Sequence, residues 1–67
     1  MKPVIMFYTI LIQSTVKAFS IKFSIENAPK DFWDHQDAVE DYLIDTNPNP
    51  FEATPEFEIL THRQGGE

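Results

Sequence analysis

Apolar and polar positions alternate most cleanly over Ala18–Glu26 (AFSIKFSIE). Phe19, Ile21, Phe23 and Ile25 fall on one side, and Ser20, Lys22 and Ser24 on the other. A period of two marks a strand with one buried and one wet face. Upstream, Val4–Ser14 (VIMFYTILIQS) is β-branched and aromatic, with no glycine or internal proline, and also reads as a strand. Its alternation is lost because both faces are apolar: Val4, Met6, Tyr8, Ile10 and Ile12 on one, Ile5, Phe7, Thr9 and Leu11 on the other. Such a strand belongs in the middle of a sheet, covered on both sides. Ser14–Lys17 is the expected hairpin turn, although it carries no Asn-Gly or other glycine signal.

The period then changes. From Asn27 to Asp45 (NAPKDFWDHQDAVEDYLID) a helix is expected, with Asn27 or Ala28 leading into Pro29 in the first turn. At about 100° per residue, Phe32, His35, Val39, Tyr42 and Leu43 share one side, and Asp31, Asp34, Asp37, Asp41 and Asp45 share another. Asn47-Pro48 closes the helix, because a residue before proline avoids the helical region. Asn47–Pro55 reads as a stiff connector with Phe51 as its anchor, and Glu56–His62 (EFEILTH) as a third strand. Strand two, helix and strand three form a crossover, right-handed by the usual rule. With the doubly apolar first strand in the centre, the expected fold is α+β: a three-stranded antiparallel β-β-α-β sheet in the order 2-1-3, with one helix on one face. Residues 1–62 make the single domain and 63–67 a flexible tail.

Length and charge narrow the picture. A chain of 67 residues buries a modest core, and with no cysteine it has neither a disulfide nor a thiolate metal site. Small scaffolds of this kind gain stability from a second subunit or a large partner. The first 25 residues hold three lysines and no acid; the remainder hold eleven acids against Lys30 and Arg63, so the two parts carry +3 and −9. A field of that sign repels nucleic acid and favours basic proteins. The start of the chain loosely mimics a secretory signal over residues 1–18, but Pro3 and Tyr8 suit that role poorly, so a cytoplasmic protein is the expectation. The apolar run is near half the length a membrane span requires.

Candidate chemistry is sparse. Ser14, Ser20 and Ser24 lie outside any nucleophile-elbow context, and the only glycines, Gly65 and Gly66, cannot form a phosphate loop. Carboxylates on an outer helix face lack the burial that separates an acid from a base. His35 and His62 lack the i, i+4 spacing of a helical metal pair, and His35 reads as a boundary residue bonded locally. No catalytic, cofactor or metal residues are therefore assigned, and a non-enzymatic protein is expected.

What stands out is unbalanced charge: six carboxylates and no Lys or Arg between Asp31 and Asp45. Asp41 and Asp45 oppose the helix dipole at its C-terminal end, a local cost that a purely structural helix need not carry. The leading expectation is a small acidic protein-binding module. It would present Asp31, Asp34, Asp37, Asp41 and Asp45, flanked by Trp33, to a larger basic partner that handles nucleic acid, as an inhibitor and DNA mimic. Its composition invites comparison with the acidic inhibitors of phages and mobile elements. The plain alternative is a solvated helix face on an assembly protein. That protein would homodimerise through an uncovered apolar row of the sheet, expected at Tyr8, Ile10 and Ile12.

Overall fold

The computed structural model of the chain describes residues 3–49 and 51–65. The elements are β1 (Val4–Ile12), β2 (Thr15–Phe23), a short 3-10 turn at Ile25–Asn27, α1 (Phe32–Asp45) and β3 (Phe57–Gly65). They build a three-stranded antiparallel sheet in the order β2-β1-β3 with one helix against it, the α+β arrangement expected from the sequence.

The β1–β2 hairpin closes more tightly than expected. Its turn is Gln13-Ser14 alone, both residues at positive φ (49° and 62°), and pairing begins at once with Ile12 opposite Thr15. Two consecutive left-handed residues match the twist of the flanking strands, which is why this geometry dominates two-residue hairpins even without glycine. The other ladder carries a bulge. Thr9 pairs Thr61 but Ile10 pairs Ile59, so Leu60 is the extra residue on β3. The bulge breaks the alternation read from the sequence: Thr61 passes to the side of Thr9, and His62 comes beside Tyr8. Pairing then continues to Gly65 opposite Ile5, so Arg63, Gln64 and Gly65 belong to the strand rather than to a tail; the rest of the expected tail lies outside the described residues.

Register also decides which face the helix covers. Phe19, Ile21 and Phe23 of β2 and Phe57 and Ile59 of β3 lie across from Tyr8, Met6, Val4, Ile12 and Ile10. Only that side offers an apolar surface three strands wide. The core is accordingly Met6, Tyr8, Ile10, Ile12 and Val39, with Phe19, Ile21, Leu43, Phe57 and Ile59 around it. Tyr42 of α1 stacks flat on Phe19 of β2, ring centroids 4.3 Å apart and planes 2° apart. The expectation that Tyr8, Ile10 and Ile12 form the bare row is thus corrected: they lie under the helix, and the uncovered row is Ile5, Phe7, Thr9 and Leu11.

The helix begins later than the proline suggested. Asp31 is the N-cap and its Oδ1 accepts the Asp34 N–H (2.9 Å), while Asp34 Oδ2 accepts the Lys30 N–H (3.1 Å). This reciprocal capping by two carboxylates satisfies end-of-helix donors, which Pro29 cannot do. The helix ends at Asp45, where the Thr46 N–H and hydroxyl both bond the Tyr42 carbonyl (3.0 and 2.8 Å). The connector is organised by asparagines rather than by Phe51, which is 95% exposed. Asn47 Oδ1 accepts the Asn49 N–H (2.9 Å), and Asn49 Oδ1 accepts the Phe51 N–H (3.1 Å). Among the described residues no helix is long and apolar enough to cross a membrane.

Candidate functional site

The outer face of α1 follows from its inner one. With Val39 fully buried and His35 nearly so, the positions opposite are those near Asp37 and Asp41. Asp31, Asp34, Asp37, Asp41 and Asp45 are all exposed. Trp33 flanks them at 71% exposure, with Ile44 on the same outward side. Phe32 was expected to turn toward the strands; it is 62% exposed and packs edge-on against Trp33, centroids 5.0 Å apart. It stands in the first turn, where the helix has not yet come fully over the sheet.

The five aspartates divide by role. Asp31 and Asp34 hold the helix start, so part of their hydrogen-bonding capacity is committed to backbone N–H groups. Asp34, Asp37 and Asp41 line a groove of about 380 Å³ between the helix and the turn before it, together with Phe23, Glu26 and Lys30. Four carboxylates against one ammonium give that groove a strongly negative field, suited to a cationic side chain.

A second cluster was not legible in the sequence. The Tyr8 hydroxyl lies 2.7 Å from His35 Nδ1, joining β1 to α1 across the core. The His62 ring from β3 stacks on His35, centroids 4.1 Å apart and planes 25° apart. His35 is therefore not bonded locally: its partner is 27 residues away, and it is the one buried polar side chain among the described residues. The signal that could have found the cluster, the bulge at Leu60, leaves no mark in the apolar pattern. Burial is the main force holding the imidazole below its usual protonation range; His62 adds to it, and Asp34 and Asp31 partly oppose it. Burial also pushes the Tyr8 hydroxyl up to about 12. With His35 neutral, Tyr8 donates to Nδ1 and the imidazole proton sits on Nε2. The imidazole edge borders a cleft of about 370 Å³ lined by Lys30, Asp31, Phe32, Ile59, Leu60 and His62.

This cluster is built for cohesion. Stacked imidazoles direct their in-plane lone pairs side by side rather than at a common point, which is poor geometry for a chelate. Among the described residues no group of three or more His, Cys, Asp or Glu side chains is placed to hold a metal ion. Comparison with protein-family models, with curated proteins and with solved structures finds no significant match for the chain.

Proposed function

We propose that this protein is a non-enzymatic binding module that uses the outward face of α1 to engage a larger, basic protein, in a cytoplasmic setting. The observation that carries the reading is the combined exposure of Asp34, Asp37, Asp41 and Asp45 beside Trp33, on a helix whose other side is fully engaged. Carboxylates recur there at three- and four-residue steps, roughly one per 5 Å along about 20 Å of axis. That pitch is broadly comparable to phosphates along one nucleic-acid strand, so a groove built for DNA or RNA would accept it. Trp33 supplies what charge alone lacks, a rigid aromatic anchor able to bury area at the centre of a contact. On this reading the protein inhibits its partner by occupying that groove, as small phage-encoded acidic inhibitors do, and the acidic groove beside Pro29 receives a lysine or arginine of the partner.

Affinity capture from the source cell at low and high salt tests this, with the chain compared to Asp37→Asn/Asp41→Asn. A basic protein retained at low salt, released at high salt and lost with the double substitution is the expected result. Equal capture by both forms removes the aspartates from the interface and ends the proposal.

A further inference from the structure

We propose that the uncovered face of the sheet packs against the same face of a second copy, giving a symmetric dimer in which Arg63 of each copy lies over Glu58 of the other.

The face is apolar and shaped. Along β1 it carries Ile5, Phe7, Thr9 and Leu11; the register adds Lys22, Ser20, Ala18 and Val16 from β2, and Gly65, Arg63, Thr61 and Glu58 from β3. Phe7 and Leu11 are 37% and 36% exposed and Val16 61%, so three large apolar side chains meet water on one surface. At the other end from Leu11 and Val16 is a shallow depression of about 390 Å³ whose open-face lining is Phe7, Thr9, Ala18, Ser20 and Arg63. One end of the face therefore protrudes and the other recedes.

Charge follows the same polarity. Lys22 and Arg63 stand at the receding end, Arg63 with its guanidinium 4.4 Å above the Phe7 ring, and Glu58 stands at the protruding end. Two twofold axes would bring the sheets face to face. An axis along the strands stacks like ends, gathering both copies' Lys22 and Arg63 together. An axis across the strands, at the level of Thr9, reverses the second copy end for end while keeping β2 over β2 and β3 over β3. That arrangement sets Arg63 over Glu58 and lays Val16 and Leu11 onto the depression at Ser20 and Phe7. Shape and charge thus select the same axis, and a second copy is the occupant that satisfies both at once. Three strands of nine residues span about 14 Å by 30 Å. This is a small interface, so association in the range of tens of micromolar is expected, roughly. Each α1 stays on the outside of the pair, so the inference is independent of the acidic-face proposal.

Sedimentation velocity on the full chain from about 1 to 300 µM tests it, with circular dichroism confirming that each variant is folded. A monomer–dimer equilibrium is expected, weakened at least tenfold by Val16→Glu and by Leu11→Glu. Arg63→Glu and Glu58→Arg should each weaken it severalfold, and the two together should restore it. Within one copy these residues stand opposite Phe7 and Leu11, about 13 Å apart along the strand, too far to pair internally. The swap does not rebuild the Arg63–Phe7 contact, so recovery reports the contact between copies. A monomer throughout, a dimer indifferent to Val16→Glu, or a swap that fails to recover overturns the proposal.

Discussion

At the scale of single residues, the most consequential contact is the hydrogen bond from Tyr8 to His35 with His62 stacked beside it. Its pH dependence has a definite sign. The folded protein holds His35 below its usual protonation range, whereas the unfolded chain takes up the proton near pH 6.5. The unfolded state therefore binds more protons on the acid side, and stability is complete above about pH 6.5 and falls as pH drops from there toward the lower folded value. The slope for one proton is at most about 1.4 kcal/mol per pH unit. Tyr8 acts at the other extreme: the unfolded chain ionises near pH 10 and the folded one only at about 12, so stability declines as pH rises through that interval. Urea denaturation at pH 7.5 and 5.0 should show the acid loss, and His35→Gln should flatten it. Tyr8→Phe, which leaves Nδ1 buried without its partner, should cost about 1–3 kcal/mol at pH 7.5. None of this was legible in sequence. His35 could be placed near the apolar side of its helix, but its partner depends on which face of β1 lies underneath.

At the scale of elements, the chain announces its own architecture well and its junctions poorly. The double apolar character of β1 located the central strand, and the 2-1-3 order followed. Three boundaries moved, each because a local polar or steric effect outweighed periodicity. Asp31 displaced Pro29 as the helix start by capping. Gln13-Ser14 formed the turn without glycine because the paired strands impose their twist on it. Leu60 was extruded from β3, which put His62 rather than Thr61 on the helix side. The turn yields a direct prediction. Left-handed backbone costs a non-glycine residue about 1 kcal/mol, and Asn-Gly relieves it. Gln13→Asn/Ser14→Gly should therefore raise the melting temperature by about 4–8 °C, and an unchanged or lower value would mean the turn is not of this kind. A second prediction separates stability from function on α1. Asp45 sits at the negative end of the helix dipole, so Asp45→Lys should stabilise the fold by about 0.3–1 kcal/mol in thermal or urea melts. The same change should weaken capture of a basic partner.

At the scale of the whole molecule, the account describes a sheet with two unlike surfaces beyond its core. One is the outer side of α1, acidic and flanked by Trp33 and Ile44; the other is the bare sheet face, apolar with Arg63 and Lys22 at one end. The sequence located the first correctly as a set of exposed aspartates. It placed the second on the wrong side of β1, because two apolar rows on one strand look alike until pairing chooses between them. The central claim is that the outward face of α1 is where a basic partner binds. Its most direct measurement is a two-dimensional amide and indole NMR titration of the folded chain with an arginine-rich peptide at low salt. The account predicts shifts concentrated at Asp34, Asp37, Asp41, Asp45 and the Trp33 indole, reversed by added salt, with Phe7 and Leu11 unmoved. Shifts spread evenly over every acidic residue, Glu52, Glu56 and Glu58 included, or centred on the sheet face, would contradict it.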